Sequence, residues 1–208
     1  LKGGVGKTSV VLGLAGAALQ AKIPTLVVDL DPQANATAAL DPVAAPYSVS
    51  DVLHDARPGI AADAVVDSCW GHGLRLIPSE RALEHRAAES ARGSELRLST
   101  ALRGVAGHYA LVLIDCPPNL GALTRNALYA SDSALVITEP SFFAVQSAAQ
   151  AVESIEVARR AGHDDLRLVG ILATRVRKRQ PEHTYRMAEL HDAFGDIVLE
   201  PIPDRAAI

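Results

Sequence analysis

The stretch Lys2-Gly3-Gly4-Val5-Gly6-Lys7-Thr8 opens the chain and leads directly into residues 8–21, where apolar side chains recur at helical spacing. Glycines in such a loop let successive backbone N–H groups face phosphate oxygens, and the N-terminus of the following helix adds a favourable dipole. Lys7 would bring positive charge to the β and γ phosphates, and the Thr8 hydroxyl is a suitable ligand for Mg²⁺. We therefore expect this stretch to be a phosphate loop that binds a nucleoside triphosphate.

Stretches typical of strands and of helices alternate along the rest of the chain. Residues 25–29 and 109–115 are apolar runs that end in aspartate, as expected of buried parallel strands. The alternation predicts an α/β protein with a doubly wound, mostly parallel sheet and helices on both faces, the P-loop NTPase fold. Further strands are expected at 74–77, 133–138, 166–173 and 197–199, further helices at 81–103 (with a break near 93), 120–130, 144–161 and 182–194, and a loop at 32–50.

Composition excludes several classes of protein. Hydrophobic residues make up 49% of the chain and charged residues 21%, which fits a globular protein and not a disordered one. The formal net charge of −4 excludes a chain that is basic throughout, although it allows a local basic patch. The 2 cysteines cannot form a disulfide framework, and their spacing matches no zinc motif. No apolar run approaches the roughly 20 residues of a membrane span.

Aspartates stand at the carboxyl ends of the two strongest predicted strands. Asp29 and Asp31 follow the first of them, and Asp115 ends the second. Open α/β sheets bind ligands at this edge, so Asp29 and Asp31 would place Mg²⁺ or orient a water beside a triphosphate. A turn with a helix cap explains the same two residues equally well. Asp115, after a strand that is apolar on both faces, is expected to hold Mg²⁺ through water.

These motifs together resemble the ParA/MinD family of ATPases. The stretch from Lys2 to Thr8 resembles the family's deviant Walker A loop, and residues 29–37 are similar to its switch I motif, Asp-x-Asp-Pro-Gln-x-Asn-x-Thr. Residues 114–128 resemble the segment that begins at the Walker B aspartate. Cys116-Pro117-Pro118 favours the ParA branch, since MinD relatives usually carry Pro-Ala-Gly at this point.

The resemblance covers nearly the whole chain and leaves out the family's first strand and last helices. A phosphate loop normally follows a buried strand, and none precedes Lys2 here. The length of 208 residues suits one domain. We therefore expect residues 1–208 to be a single P-loop ATPase domain, in a fragment without its first strand and C-terminal helices.

The resemblance also implies an activity and partners. ParA proteins bind ATP and Mg²⁺, form a homodimer in the ATP state, bind DNA without sequence preference and hydrolyse ATP slowly. A ParB-like activator protein stimulates hydrolysis, and DNA is thereby partitioned. We expect the same of this chain, in the cytoplasm at the nucleoid and with no membrane partner.

Particular residues take family roles by the same resemblance. Lys2 would reach the phosphates bound by the partner subunit, Asp31 would position or activate the attacking water, and Pro203 would lie beside the adenine. The expected catalytic residues are Lys2, Lys7 and Asp31, and the expected metal-site residues are Thr8, Asp31 and Asp115. The expected ATP-binding residues are Lys2, Gly3, Gly4, Val5, Gly6, Lys7, Thr8, Ser9 and Pro203.

A basic cluster stands out in this acidic chain. It consists of Arg175, Arg177, Lys178 and Arg179. Contacts to phosphates would make it a non-specific DNA-binding surface, whereas a solvated loop is the usual meaning of such a run. By resemblance, Arg179 falls where ParA proteins place a DNA-binding arginine after their sixth strand.

Two other functions compete with the ParA interpretation. A MinD-like or cargo-positioning ATPase would share the same core and act on a membrane or a protein scaffold. A biosynthetic P-loop enzyme, such as a dethiobiotin-synthetase-like ligase or a nitrogenase-like reductase, belongs to a different class. The ligases lack the Asp-Pro-Gln and Cys-Pro-Pro patterns, and the reductases need paired cysteines beside the switches, for which Cys69 has no matching segment.

Overall fold

The computed structural model describes residues 3–87 and 93–204. The chain divides into two compact units. The larger unit is Lys7–Ala130, and the smaller unit combines residues 3–6 with the chain after Ala130. Each unit contains its own sheet.

The sheet of the larger unit places two aspartates side by side. Its strands are β1 (Thr25–Asp29), β2 (Val66–Asp67), β3 (Leu74–Ile77) and β4 (Leu111–Asp115), in the order β2-β3-β1-β4. Strand β1 is parallel to both β3 and β4, and only the short β2 is antiparallel. The register pairs Asp29 with Asp115, so the carboxyl ends of β1 and β4 meet at one edge.

Helices cover both faces of this sheet. The helices are α1 (Lys7–Gln20), α2 (Asn35–Leu40), α3 (Val49–Asp55), α4 (Leu83–Ala87), α5 (Arg97–Ala101) and α6 (Ala122–Tyr129). Side chains alternate along β1: Leu26 and Val28 pack in a core with residues of α3, α5 and α6, whereas Val27 packs on the other face with residues of α1 and α2. The predicted doubly wound α/β fold is thereby confirmed.

A tryptophan lies across two helices of the larger unit. A Cβ added to Gly16 in α1 would lie 3.6 Å from Cζ3 of Trp70, so the ring covers that glycine. The indole Nε1–H donates to the carbonyl oxygen of Ala39 in α2 at 2.7 Å. Trp70 therefore contacts both helices while it remains 40% exposed.

The smaller unit is a parallel strand pair with two helices. Strands β5 (Ser133–Thr138) and β6 (Arg167–Ala173) are joined through α7 (Ala144–Arg160), which packs against β5, and α8 (Pro181–Phe194) packs against α7. These elements lie close to the bounds expected from the sequence. Among the described helices of the whole chain, none has the length and apolar character needed to cross a membrane.

The expected loop at residues 32–50 contains helical structure, so that prediction is wrong. Helix α2 occupies Asn35–Leu40 and α3 begins at Val49. Six residues are too few for an apolar repeat to be recognised, and the flanking prolines Pro32 and Pro42 favoured a loop. Ser48, at the N-cap position before α3, forms a capping box with Asp51.

The expected strand at residues 197–199 is also wrong. Residues Gly195–Ile197 form a 3₁₀ turn, and Val198 makes only an isolated bridge with Ile171. The backbone here runs close to β6, since a Cβ on Gly170 would lie 2.7 Å from the carbonyl oxygen of Ile197. The β-branched and apolar side chains at 197–199 indicated a strand, but the turn before them prevents regular pairing.

Candidate active site

The phosphate loop has the backbone expected of it. Gly4 and Gly6 have φ angles of 80° and 91°, a left-handed conformation that residues with a Cβ rarely adopt. Helix α1 begins at Lys7, and Ser9 is exposed in its first turn. The predicted catalytic residue Lys2 lies outside the described residues.

A threonine that sequence reasoning missed fixes the first part of the loop. The hydroxyl of Thr174 donates to the carbonyl oxygen of Val5 at 2.6 Å. A Cβ on Gly6 would lie 3.3 Å from the same hydroxyl, so this glycine also permits the close approach. Thr174 follows β6 directly, and its position at a carboxyl strand end was the one signal in the sequence.

Thr8, which is partly buried, pairs with the buried Asp115 at the edge of the larger sheet. The Thr8 hydroxyl donates to Oδ2 of Asp115 at 2.6 Å. Burial raises the pKa of Asp115 to about 6; the charges of Asp29 and Asp31 add to this rise, and the Thr8 hydrogen bond and the Lys7 charge oppose it. The second carboxylate oxygen, Oδ1, is buried without a hydrogen-bond partner among the described residues.

The buried Oδ1 of Asp115 indicates whether a cation would fit beside Thr8 and Asp115. A carboxylate oxygen without a donor leaves charge uncompensated, and a nearby cation or a water bound to it would supply the missing interaction. No group of three His, Cys, Asp or Glu side chains in the described ranges forms a ready metal cage. Mg²⁺ suits such a site, because it keeps several waters and takes its other ligands from substrate phosphates and one or two protein groups.

Asp29 is buried at the end of β1 and accepts hydrogen bonds from the residues that follow. Its Oδ2 accepts the backbone N–H of Thr37 at 2.8 Å and the Thr37 hydroxyl at 2.7 Å. Its Oδ1 accepts the N–H of Asp31 at 3.2 Å. Burial raises the pKa of Asp29 above its ordinary value, and these hydrogen bonds work against the rise. The alternative of a turn with a helix cap therefore describes Asp29 well, since its carboxylate binds the start of α2.

Asp31 is 8% exposed and is anchored through its backbone. The hydroxyl of Ser79 donates to the Asp31 carbonyl oxygen at 2.7 Å. The N–H of Gln33 donates to the Asp31 carboxylate at Oδ1, at 3.0 Å. Thr37 and Ser79 were not predicted to contribute to the site; Thr37 stood in the switch-like motif, and Ser79 follows β3 after Pro78.

Cys116 has no features of a nucleophile. Burial raises the pKa of its thiol to about 12, and the neighbouring charge of Asp115 adds to the rise. The side chain is only partly exposed, and its sulfur lies 3.8 Å from the carbonyl oxygen of Ile114. This agrees with the prediction of a small packed side chain.

The predicted basic cluster forms an exposed turn in the smaller unit. Arg175, Arg177, Lys178 and Arg179 are all exposed, and Val176 between them is buried. We call residues 175–179 the basic loop. Arg175 has a φ of 56°, which is uncommon for a residue with a side chain.

Pro203 lies beside the basic loop. The N–H of Val176 donates to Ile202 O at 3.1 Å, and the N–H of Asp204 donates to Val176 O at 3.0 Å. The Asp204 carboxylate accepts a hydrogen bond from Arg177 Nε at 2.6 Å, so the charge of Arg177 is partly neutralised. No carboxylate of a described residue pairs with the other three cations of the loop.

The structure thus brings together some of the predicted residues. Thr8, Asp29, Asp31 and Asp115 lie at the carboxyl ends of β1 and β4 in the larger unit. Pro203 and the basic loop lie together in the smaller unit.

Comparison with known proteins identifies the family. A family model described as an AAA domain matches residues 1–168. The chromosome partitioning protein ParA of Myxococcus xanthus is 32% identical over 210 residues, which cover 98% of this chain and 72% of that protein. The sporulation initiation inhibitor protein Soj of Bacillus subtilis is 31% identical over 98% of this chain and 81% of that protein.

A solved structure agrees with this assignment at the level of the fold. The cobyrinic acid a,c-diamide synthase of Mycobacterium smegmatis, solved with bound ADP and magnesium, is 30% identical and has a TM-score of 0.86. The match covers 99% of this chain and 84% of that one. The phosphate loop, the aspartates at the strand ends and the similarity over almost the entire sequence lead to one conclusion: this chain is an ATPase and belongs to the ParA family of P-loop ATPases.

Proposed function

We propose that this chain is an ATP-driven dimerisation switch that partitions DNA. The observation that carries the proposal is the Thr8–Asp115 pair with its buried, unpartnered carboxylate oxygen, directly after a phosphate loop. The likeness to a chromosome partitioning protein over 98% of the chain supports a connection between this ATP site and DNA. We propose that residues 1–208 act as one ATPase domain.

The chain uses ATP and Mg²⁺, and we assign different residues to each of them. Thr8 and Asp115 would hold the Mg²⁺, with Asp31 beside them, and the ion would neutralise negative charge on the phosphates. Lys7 would bring positive charge to the β and γ phosphates. The backbone N–H groups from Gly3 to Ser9 would bind the phosphate oxygens. By the family resemblance, Pro203 would contact the adenine.

Hydrolysis requires a group that orients water toward the γ phosphate. Asp31 suits this role because it is nearly buried beside Asp115, and because its backbone is anchored at both its N–H and its carbonyl oxygen. A carboxylate held in this way loses little freedom when it accepts a proton or a hydrogen bond from water. Lys2 would complete the active site of a partner subunit, which makes turnover dependent on the ATP-bound homodimer.

The basic loop is the proposed DNA-binding surface. Arg175, Lys178 and Arg179 are exposed and without a described carboxylate partner. Such groups bind phosphates of any sequence, since the backbone carries no base information. Dimerisation doubles the number of basic loops, so DNA affinity should depend on ATP. A ParB-like activator would then release the protein by stimulating hydrolysis, in the cytoplasm at the nucleoid.

A DNA-binding assay with and without ATP tests this function. The intact protein should bind two unrelated DNA duplexes equally well in the presence of ATP and Mg²⁺, and at least about tenfold more weakly without ATP, because two basic loops contact more phosphates than one. Lys7→Ala is the control that should not respond to ATP. Binding that ignores ATP, or no binding with ATP present, would contradict DNA partition and favour a switch that acts on a protein or membrane scaffold.

A second candidate function comes from the solved structure at 30% identity, whose name is that of cobyrinic acid a,c-diamide synthesis. An assay of ATP hydrolysis with added DNA, or with added cobyrinic acid and glutamine, separates the two functions. An amide-forming enzyme should consume ATP faster when cobyrinic acid and glutamine are added and should ignore DNA. A DNA-partitioning ATPase should consume ATP faster when DNA is added and should not respond to cobyrinic acid and glutamine.

A further inference from the structure

The segment from Asp29 to Thr37, here called the acidic loop, is held by side chains that have no role in the function proposed so far. We propose that Thr37, with Asp29 and Ser79, positions Asp31 for ATP hydrolysis. The inference rests on the proposed function and names the residues that set the geometry of its hydrolytic step. All of these residues belong to the larger unit.

The side chain of Thr37 links Asp29 to Ser79 through two hydrogen bonds. Its hydroxyl donates to Asp29 Oδ2 at 2.7 Å and accepts the backbone N–H of Ser79 at 2.9 Å. A hydroxyl can donate and accept at the same time, whereas a methyl group in its place can do neither. The Thr37 hydroxyl therefore connects the end of β1 to the segment that follows β3.

The start of α2 depends on the same carboxylate. Ala34, at the N-cap position, has a φ of 53° and offers no side-chain hydrogen bond to the helix. Asp29 instead accepts the N–H of Thr37, at the third position of the helix, at 2.8 Å. An N-cap side chain ordinarily satisfies this donor. A six-residue helix has little stability of its own, so the path of the acidic loop is set by Asp29 and Thr37.

These contacts act on Asp31. Asp29 accepts its N–H, and Ser79 donates to its carbonyl oxygen, which also accepts the N–H of Ala34 at 2.9 Å. Within the described ranges, the carboxylate of Asp31 has a single hydrogen bond, from Gln33 to Oδ1. The backbone of Asp31 is thus fixed while Oδ2 stays available for water. A displacement of about 1 Å in such a group lowers a reaction rate by roughly 100-fold.

Thr37→Val tests this link between Asp29 and Ser79, because valine keeps the shape and removes the hydroxyl. We expect kcat for ATP hydrolysis to fall by about 10- to 100-fold, while KM and the affinity for fluorescent ATP change by less than about threefold. Thr37→Ser keeps a hydroxyl and should restore kcat to within about threefold of wild type. The matched control is Thr184→Val in α8, where the hydroxyl donates to the carbonyl oxygen of Gln180 and to no other group of the described residues; it should leave kcat unchanged.

Ser79→Ala is the second variant. It tests whether these contacts position Asp31 even if Thr37→Val does not fold. It keeps the N–H that donates to Thr37 and removes the hydroxyl that donates to Asp31. We expect kcat to fall by about 3- to 10-fold with little change in ATP affinity, since the loss of one hydrogen bond allows a partial displacement of Asp31. Circular dichroism on heating identifies any variant that is not folded.

Asp31→Ala separates failure of this inference from failure of the proposed function. If Asp31→Ala loses at least about 100-fold in kcat while Thr37→Val and Ser79→Ala stay within twofold of wild type, only the positioning role is overturned. A fall in Thr37→Val that Thr37→Ser does not rescue has the same meaning. If Asp31→Ala hydrolyses ATP like wild type, both the role of Asp31 and its positioning by Thr37 are wrong.

Discussion

The acidic loop and the basic loop are stabilised in opposite ways. In the acidic loop, the side chains of Asp29 and Thr37 hydrogen bond to neighbouring backbone and to each other in a buried setting. In the basic loop, the backbone of Val176 is paired with residues 202 and 204, while the charged side chains extend into solvent. The hydrogen bonds of the acidic loop fix the positions of side-chain atoms. Those of the basic loop fix the backbone from which the charged side chains extend, and not the side chains themselves.

Both loops contain a residue with a side chain in the left-handed conformation, Ala34 in one and Arg175 in the other. Such a residue costs roughly 1 to 2 kcal/mol. In the acidic loop, the hydrogen bonds of Asp29 and Ser79 hold the strained segment in place. In the basic loop, the backbone bonds of Val176 do so. Catalysis requires reacting atoms at fixed positions, which the acidic loop provides. Binding by charge attraction does not require this, and the basic loop suits it.

The largest expected effect is at the phosphate loop. Lys7→Ala should lower the affinity for fluorescent ATP by at least about 100-fold, because a hydrogen bond to a charged group contributes up to about 3 kcal/mol. Lys22→Ala, just beyond the other end of α1, is the matched control and should bind ATP as wild type does. Equal affinities for the two variants would remove Lys7 from the site.

The second expected effect concerns the buried carboxylate of Asp115. Its pKa is raised to about 6 from an ordinary value of 3.8, so the folded protein binds this proton more tightly than the unfolded chain does. The contribution of this carboxyl to the free energy of unfolding should therefore decrease as the pH rises from about 4 to about 6, and remain low above that. Without nucleotide and Mg²⁺, Asp115→Asn should be about 3 kcal/mol more stable than wild type at pH 8.

Urea unfolding at pH 5 and pH 8 measures this difference. The exposed Asp164→Asn is the control, and its dependence on pH should match that of wild type. An Asp115→Asn variant that is less stable than wild type at pH 8 would mean that the carboxylate is better compensated than its burial indicates.

The smallest expected effect is in the basic loop. Arg179→Ala should weaken DNA binding by about 3- to 10-fold. It should also reduce the slope of log affinity against log salt by roughly 0.9 for each phosphate that Arg179 neutralises, or twice that in a symmetric dimer. The effect should be the same on two unrelated duplexes, and ATP hydrolysis without DNA should not change. Arg160→Ala, exposed in α7, is the control. An unchanged affinity and slope in Arg179→Ala would indicate a solvated loop.

The two loops also differ in how far the sequence predicted them. The positions of Asp29 and Asp115 at strand ends were predicted correctly, because the apolar runs before them are long. The supporting contacts of the acidic loop were not foreseen: Thr37 and Ser79 are 42 residues apart and meet only through the parallel pairing of β1 with β3. A pattern within one segment carries no information about such a pairing.

The basic loop was predicted as a run of charge, and the structure adds what composition could not. The pairing of Arg177 with Asp204 joins residues 27 positions apart and removes one cation from the proposed DNA surface. The path of the chain between them includes the turn at Gly195–Ile197, which overlaps the first residue of the strand expected at 197–199. The strand propensity of a short segment does not predict its pairing where a preceding turn determines that pairing.

Trp70 gives the protein an optical probe of its own. It is the only tryptophan in the chain, and its indole touches α1, which starts at the phosphate loop, and α2, which ends the acidic loop. The emission of an indole depends on the polarity around it, and this one is at the boundary between helix and solvent. Movement of either helix when nucleotide enters therefore alters the intrinsic fluorescence of the unlabelled protein, and the occupancy of the site can be followed with light alone.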